Sequence, residues 1–487
     1  MANNTQDCLF PSPRLPVSGE PLEGFRGHKA ALASGMVGAG AAALFICGHW
    51  SIMLAGALVM FALSLVENER FILIVIFLLP VGWVLNADVP MKNVSVAVRL
   101  LLVAGFFLGR LLRGQLNGRL LFRSSITRAS LLFLCAAIAS NALGELGWSH
   151  DSLHSVYDLA SYIAFFLMLL VWLDSRQRIR KVLWAVLFSA VVTALFAIYQ
   201  QIIGGYSSLW LYLNPQDEAF DPWAGRSPSF MAQSNCLAGY LNLILPFALA
   251  CYVLGQGKWK KLGGWTVGLG FVALLSTQSL GGLLAFVSIL VLAIFCFARS
   301  RKKKLVLLAG ICALVCLLYL LRPILNPTHT EEFVGYDALG RLVLWGAAWD
   351  IFRHSPLMGV GWGNLLRLYP TDLPAFTREF AAHNIYLQLL AETGLVGFVA
   401  FFYLVVQSGR QAWSQWRSTG DFLDRALAFG VLGALISVMV HGFVDFLFQG
   451  SQQFAALFWV VLALLVASAR LRGMPVVGRV GASGAQA

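Results

Sequence analysis

Charged residues are scarce in this sequence. Of its 487 residues only 12% are Asp, Glu, Lys or Arg, while 59% are hydrophobic and the mean hydropathy is +0.74. This composition excludes a water-soluble globular protein of such length. The alternating runs of about ten residues that are typical of membrane barrel strands do not occur. Instead, apolar segments of roughly 16–23 residues recur along the chain, each long enough to cross a ~30 Å hydrocarbon core as a helix. The sequence predicts an all-α, polytopic membrane protein with about 12–14 transmembrane helices.

The eight cysteines lack the features of a disulfide framework, since almost all of them lie inside predicted spans. Cys312 and Cys316 stand four apart on one helix face, but no His or carboxylate accompanies them. Packing as small apolar side chains explains them, and we predict no metal site.

The net charge of +12 is arranged for a membrane rather than for a nucleic acid. If the N-terminus is cytoplasmic, 27 of the 35 Lys and Arg residues fall in cytoplasmic segments and Arg99 falls inside a span. Seven remain on the outer side: Lys92, Arg226, Arg322, Arg341, Arg353, Arg367 and Arg378. Cytoplasmic loops carry an excess of Lys and Arg, so this orientation is favoured and we expect no nucleic-acid partner.

The resulting organisation alternates tails, helical blocks and outer loops. A disordered cytoplasmic tail (1–29) and a C-terminal cytoplasmic tail (470–487) flank scaffold helices (30–203), a short periplasmic loop (204–235), further transmembrane helices (236–321), a long periplasmic loop (322–383) and the last transmembrane helices (384–469). The intramembrane Arg99 lies about one turn from the outer end of its helix. Either snorkelling to the interface or contact with an anionic lipid headgroup explains it.

Polar residues cluster around the short outer loop and the helix after it. Arg226 is the only base in that loop, and a salt bridge to one of the loop's acidic residues is one explanation for it. Asn235, Gly239 and Asn242 share one face of the following helix. We expect this face to point into the bundle, because lipid offers an amide no hydrogen-bonding partner.

The long outer loop begins at Arg322 and includes a predicted amphipathic helix over 340–354, with tryptophans suited to headgroup level. Arg341 falls within its apolar stripe, so we expect it to face a pocket or the phosphates of membrane lipids. The loop also contains Gly359-Val-Gly-Trp-Gly363. No strand precedes these glycines, so they predict a tight loop rather than a dinucleotide site.

The chain re-enters the membrane at His383. Asn384, Gln388 and Glu392 follow at a spacing of four and form a polar stripe on one helix face. An intramembrane Glu is a functional candidate, although pairing with a polar neighbour for packing is the alternative. A His at a helix start is either structural or catalytic. In the next span, His441 and Asp445 either orient one another or cap the helix.

Three segments of the chain resemble the O-antigen ligase superfamily, which includes O-antigen polymerases and bacterial O-oligosaccharyltransferases. They run from Gly225-Arg226 to Pro246, from Arg341 to Gly363, and from His383-Asn384 to Gly397, and they fall within roughly a third of the chain. One departure is Leu280, in a turn where members commonly carry an arginine.

The resemblance implies transfer of a glycan from an undecaprenyl diphosphate carrier to a hydroxyl of a lipid A core, a second glycan or a protein, with no metal or other cofactor. It matches His383 to the family's histidine, which we interpret as the base that deprotonates the acceptor. Arg226, Arg341 and Arg322 are expected to hold the diphosphate. Asn384, Gln388, Glu392, Asn235 and Asn242 are expected to support them.

Two other interpretations stay open. Within the superfamily, a polymerase needs the same donor as a ligase, so the sequence does not separate them. A transporter of lipid-linked sugars is a different class, and transporters commonly show paired repeats with broken helices near the midplane. The polar groups here gather at the outer interface instead, which favours an enzyme of the bacterial inner membrane.

Overall fold

A computed structural model describes residues 50–82, 94–115, 122–203, 226–231, 233–325, 331–368 and 381–473 of the chain. All regular structure in these ranges is helical. The α-helices are α1 (Trp50–Leu65), α2 (Glu69–Phe77), α3 (Val94–Leu112), α4 (Ser125–Leu143), α5 (His150–Trp172), α6 (Arg176–Ile203), α7 (Ser234–Leu254), α8 (Lys258–Ser276), α9 (Leu280–Phe297), α10 (Arg301–Leu325), α11 (Glu331–His354), α12 (Ile385–Ser418), α13 (Phe422–His441), α14 (Leu447–Gly450) and α15 (Gln452–Arg472).

Among the described residues, eight of these helices are long and apolar enough to cross a membrane: α4, α5, α6, α7, α9, α12, α13 and α15. The chain is therefore a polytopic helical membrane protein, as its composition predicts. Within the predicted scaffold (30–203), the sequence predicts one span over about 30–47, which lies outside the described residues. It predicts another over about 71–86, which differs from the structure because α2 ends at Phe77 and a 3₁₀ helix, Leu79–Gly82, follows. Pro80 explains this end, since proline lacks the N–H that would continue the helix.

Three helices form the inner layer of the bundle. The buried share of the most apolar stretch is 83% in α15, 78% in α7 and 72% in α13, against 33% in α9. α13 packs along α7, α9, α12 and α15, and α7 also packs against α8. The helices that carry the candidate residues therefore share one core.

Helix α12 is interrupted at Gly394, where φ is +60°. Residues with a side chain rarely adopt this conformation, so glycine is the residue that suits the break. The loop after α11 bonds the backbone on both sides of it: Leu395 N–H donates to Pro356 O at 2.9 Å, and Val360 N–H donates to Ala391 O at 3.0 Å. The sequence predicts only that Gly394 allows close contact between helices. In the structure, the break at Gly394 is where the loop after α11 packs beside the first turns of α12.

Helix α11 confirms the predicted amphipathic helix but is longer, since it begins at Glu331 rather than near residue 340. Leu344 and Ala348 are buried against the protein, while Leu342 and Trp349 are 58% and 45% exposed. One side of the helix thus packs on the bundle and another presents apolar side chains outward, as at a membrane interface.

Arg99 is not placed as either sequence interpretation expects. Its guanidinium is only 5% exposed and lies in the interior between α3 and α5. Nη2 is 3.2 Å from Asp158 Oδ1, Nε donates to Ser161 Oγ at 3.0 Å, and the guanidinium carbon stands 4.2 Å from the centre of the Tyr162 ring. Arg99 therefore neither snorkels nor contacts a headgroup; it joins two helices.

Candidate functional site

Most of the candidate residues come together at one end of the bundle, which we call the His383 end. It consists of residues 226–235, 276–282, 355–365, 381–388 and 441–451. These are the starts of α7, α9 and α12, the ends of α8 and α13, and the loops beside them. Helix ends carry backbone groups that the helix itself does not satisfy, so polar side chains concentrate there.

Arg226 is fixed by two hydrogen bonds at the His383 end. Its Nε donates to the Thr277 carbonyl at 2.8 Å, and its Nη2 donates to Asn235 Oδ1, also at 2.8 Å. The backbone beside it is tied to the same turn, since Ser227 N–H donates to Ser276 O at 3.0 Å. These contacts join the loop before α7 to the turn between α8 and α9. They also fix the plane of the guanidinium, and they place Asn235 beside Arg226.

Asn242 lies inside the bundle and is 1% exposed, as expected for the polar face of α7. Its Nδ2 donates to the Gly282 carbonyl at 2.8 Å. Ser437 of α13 donates to the Asn242 carbonyl at 3.3 Å. Asn242 therefore positions the first turn of α9 and does not reach the neighbourhood of His383 itself.

His383 is paired with Asp445. The His383 Nδ1 lies 3.1 Å from Asp445 Oδ1, and the two side chains are 21% and 8% exposed. The φ angle of His383 is +46°, a left-handed conformation that costs a non-glycine residue about 1–3 kcal/mol and tends to occur at functional sites. If the His383 ring is neutral, its contact with Asp445 requires the proton to be on Nδ1. Nε2 then carries the lone pair that can accept a proton. The arrangement orients an imidazole base.

Asn384 helps to hold the His383–Asp445 pair in place. It caps α12, because its Oδ1 accepts from the Tyr386 and Leu387 N–H groups at 2.9 and 3.0 Å. Its Nδ2 donates to the Phe443 carbonyl at 3.1 Å, and Ile385 N–H donates to Gly442 O at 2.7 Å. The start of α12 and the segment that follows α13 are thereby joined on either side of His383.

Asp445 carries a negative charge at neutral pH. Its burial opposes ionisation, but the hydrogen bond and charge of His383, the charge of His441 and the Phe446 N–H together hold the pKa of Asp445 below its ordinary value. The Phe446 N–H donates to the same oxygen that faces His383, at 2.8 Å. An ionised Asp445 can stabilise a positive charge on His383.

Glu392 joins three segments and is 1% exposed. Its Oε1 accepts from Gln388 Nε2 at 2.9 Å and from the Leu365 N–H at 3.4 Å, and its Oε2 accepts from Gln449 Nε2 at 2.8 Å. Gln388 also accepts the Ala382 N–H at 2.8 Å, next to His383. This geometry favours the packing interpretation of Glu392: it positions the loop, α12 and α14.

His441 lies close to Asp445 and to Arg341. His441 is 3% exposed and near enough to Asp445 and Arg341 for electrostatic interaction with both. The sequence pairs His441 with Asp445 as one interpretation, but the hydrogen bond of Asp445 goes to His383 instead. Arg341 is half-buried on α11. Arg322 belongs to α10, but its side chain lies outside the part of the chain whose side chains are described.

Backbone strain marks the same region. In the described residues, four non-glycine residues have positive φ, and three of them, Ser229, Gln278 and His383, are at the His383 end. Ser229 is fixed by Gln200, whose side-chain oxygen accepts its N–H at 2.8 Å. Such strain persists only where surrounding contacts impose it, and it clusters at functional sites. No local sequence signal predicts it.

Two comparisons with known proteins concern the family that this chain resembles. An O-antigen ligase family model matches residues 265–402. The exopolysaccharide production protein ExoQ of Rhizobium meliloti (strain 1021) is 25% identical to this chain over 342 residues, which is 66% of this chain and 72% of that protein. The two matches support a ligase- or polymerase-type member of the O-antigen ligase superfamily. That family suggests a membrane glycosyltransferase-like enzyme with lipid-linked glycan and polysaccharide substrates.

The residues that match the O-antigen ligase family model, 265–402, include Arg341, His383 and Glu392. Arg226 and Asp445 lie outside the match. The fold brings both to the His383 end, and Asp445 is the partner of His383 that sequence reasoning missed.

Proposed function

We propose that this protein is an O-antigen ligase-like glycosyltransferase. It moves a glycan from an undecaprenyl diphosphate carrier to an acceptor hydroxyl at the periplasmic face of the bacterial inner membrane. The observation that carries the proposal is the His383–Asp445 pair, 3.1 Å apart, with His383 held at a strained backbone position. Such an orientation is what deprotonation of a hydroxyl requires.

In the proposed reaction, His383 Nε2 takes the proton of the acceptor hydroxyl. The acceptor oxygen forms a bond to C1 of the donor sugar as the bond from C1 to the diphosphate oxygen breaks. The diphosphate leaves with that electron pair. Asp445 stabilises the imidazolium that forms, in the manner of the carboxylate in an acid–base triad. His383 then returns its proton to solvent or to the leaving group.

Negative charge builds on the departing diphosphate, and cations that are already oriented stabilise it best. Arg226 fits this role because Thr277 and Asn235 fix its guanidinium plane before substrate arrives. Arg341 is the second proposed cation, because it lies within electrostatic range of His441. We keep Arg322 as a third, on sequence grounds alone.

The orientation in the membrane is part of the proposal. The end of the bundle opposite the His383 end carries basic residues of several helices, among them Arg176, Arg178, Arg470 and Arg472. Because basic residues concentrate on the cytoplasmic side, the His383 end is assigned to the periplasm. The loop at 322–383 then faces the compartment in which the acceptor is presented.

A polymerase is the second candidate function. It would use the same donor chemistry with another lipid-linked glycan as acceptor, and the printed name of ExoQ, an exopolysaccharide production protein, favours it. Purified protein supplied only with lipid-linked glycan would separate the two. A polymerase lengthens that glycan, whereas a ligase leaves it unchanged until a different acceptor is added.

The test of the proposed function is transfer by purified protein in vesicles that contain lipid-linked glycan and acceptor. A positioned base typically contributes about 10²–10⁴-fold in rate, so His383→Gln and His383→Ala should both lose transfer by that order while donor binding is retained. His354→Gln is the matched control, since His354 is an exposed histidine on α11 that bonds only within its helix in the described structure. Turnover near that of the wild type in His383→Gln would remove the base from the mechanism. If the protein is instead a transporter, His383→Gln and His383→Ala should move lipid-linked sugar as well as the wild type does.

A further inference from the structure

His441 has a buried imidazole that the mechanism so far does not use. Within the described part of the chain, neither its Nδ1 nor its Nε2 has a hydrogen-bond partner, and the residue is only 3% exposed. Burying a polar group without a partner is unfavourable, because the group loses its hydrogen bonds to water. A native protein retains such a group when a ligand, an ion or a water supplies the missing bond.

A second unsatisfied atom lies one helical turn away. Asp445 uses Oδ1 for His383, while its buried Oδ2 has no partner in the described residues. The two residues are adjacent, because Asp445 N–H donates to the His441 carbonyl at 3.1 Å. At the end of α13, an imidazole N–H and a carboxylate oxygen therefore both lack a hydrogen-bond partner among the described residues. A ligand that suits them must offer an acceptor to His441 and a donor to Asp445.

The first turn of α9 faces the His441 ring. A Cβ at Gly281 would stand 2.8 Å from Cδ2 and 3.2 Å from Nε2 of His441, so the ring occupies the space of the absent side chain. Ser279 caps this helix through the Gly282 N–H. The start of a helix carries a partial positive charge, which favours an anion in its vicinity. Arg341 adds a full positive charge within electrostatic range of His441.

These contacts limit the chemistry of the ligand. Arg341 and the start of α9 both bring positive charge towards His441. Among the described acids, Asp445 is the one that acts on His441, and its Oδ1 already faces His383. An anionic acceptor group with a neighbouring hydroxyl fits this combination. A glycosyl phosphate provides both, since its phosphoryl oxygens accept hydrogen bonds and its sugar hydroxyls donate them.

We propose that His441 and the Oδ2 atom of Asp445 form a subsite for the glycosyl-phosphate junction of the donor, with His441 donating to a phosphoryl oxygen and Asp445 accepting from a sugar hydroxyl. The inference rests on the proposed function, because it assigns the same lipid-linked donor to the site. It adds that donor recognition depends on the end of α13 as well as on arginines. It also gives Asp445 two tasks, one for each oxygen.

The test measures donor binding rather than turnover. His441→Phe keeps the ring shape but removes both nitrogens, and His441→Gln keeps an N–H donor. Hydrogen bonds to charged groups typically change affinity by about tenfold to 100-fold, so His441→Phe should raise the donor Kd by that factor, with a smaller rise in His441→Gln. Leu284→Ala is the control: it truncates an exposed apolar side chain one turn further along α9, and its donor Kd should match the wild type.

Thermal unfolding with and without undecaprenyl diphosphate-linked glycan provides the readout. Bound donor raises the Tm of the folded protein by mass action. The proposal expects His441→Phe to unfold at the wild-type temperature or above when no donor is present, and to lose most of the donor-induced rise. If His441 only holds a structural water, His441→Phe will lower the Tm without donor and leave the donor-induced rise unchanged, which overturns the proposal.

The same measurements separate an error in the proposed function from an error in the subsite alone. If wild-type protein is folded but shows no donor-induced rise and no transfer, the substrate assignment itself is wrong. If wild type binds and transfers while His441→Phe binds donor equally well, only the subsite is wrong. Gly281→Ala adds a check on the end of α13, because its methyl group would crowd Val444 first and the His441 ring next, and should also weaken donor binding.

Discussion

Asp445→Asn is the substitution that tests most directly how the site works. Asp445 Oδ1 lies 3.1 Å from His383 Nδ1 and also accepts the Phe446 N–H. Asparagine has nearly the same shape, so α13 and the segment after it should keep their places. The change removes the negative charge, and an amide that points its NH₂ at His383 favours the wrong tautomer of the ring.

The expected size of the effect follows from the distance. As His383 takes a proton, its ring gains a positive charge about 4 Å from the carboxylate, and two unit charges at that separation attract by about 4 kcal/mol at an effective dielectric constant of about 20. Each 1.36 kcal/mol is a factor of ten in rate, so loss of this attraction lowers kcat by about 10²–10³-fold. Asp445→Asn should also weaken donor binding, because it removes the negative charge that strengthens the proposed hydrogen bond from a sugar hydroxyl to the second oxygen.

The assay is the initial rate of glycan transfer by purified protein, with saturating donor so that kcat is separated from binding. A double variant, Asp445→Asn with His383→Gln, decides whether the two residues act together. If they form one unit, the double variant is about as slow as His383→Gln alone. Losses that multiply would refute the pairing, and so would a kcat within a factor of about three of wild type in Asp445→Asn alone.

The charge state of Asp445 gives the sign of the pH dependence. Its folded pKa is below the ordinary value, so its carboxylate contributes at any pH above that ordinary value, about 3.9, and is lost only as the pH falls through the lower folded pKa. Between about pH 5 and 9, Asp445 should therefore add no inflection of its own to the rate profile. An inflection in that range that persists in His383→Gln but disappears when Asp445→Asn is added would contradict this.

Three further predictions concern other parts of the molecule. Arg226→Lys keeps the charge but loses the planar fork, so donor binding should weaken partly, and Arg226→Ala should weaken it more; equal donor Kd in Arg226→Ala and wild type would exclude this role. Arg99→Met leaves the partly buried Asp158 without its partner and should destabilise the protein by about 1–3 kcal/mol, whereas Arg99→Met with Asp158→Leu should recover most of that loss in thermal unfolding. In spheroplasts, an impermeant thiol reagent should label Leu357→Cys but not Ser300→Cys, since both positions are exposed and lie at opposite ends of the bundle; the reverse pattern would invert the orientation.

The helices could be predicted because the signal for them is local. The length of an apolar run predicts the length of the helix, and the spacing of Asn235, Gly239 and Asn242 predicts which face of α7 is polar. Both predictions depend on residues within a few turns of one another. His383 and Arg226 could be singled out for a similar reason, since each is a rare ionisable group where the chain meets an apolar segment.

Pairings between helices could not be predicted in this way. Asp445 is 62 residues from His383, and Asp158 is 59 residues from Arg99. Periodicity identifies the face on which a residue lies but not the helix that faces it, because the packing order of antiparallel helices depends on the whole bundle. A sequence interpretation that considers only near neighbours therefore places Arg99 at the interface and pairs His441 with Asp445.

The positions of the site residues have a common physical cause. Asn384 caps α12, Asp445 follows the end of α13, and Arg226 bonds the end of α8. Helix ends require polar partners for their free backbone groups, and inside a membrane few other places tolerate such groups. A site assembled from helix ends therefore inherits the rigidity of the bundle. Chemistry at His383 depends on the relative position of α12 and α13. The hydrogen bond from Asn384 to the Phe443 carbonyl helps to fix that position.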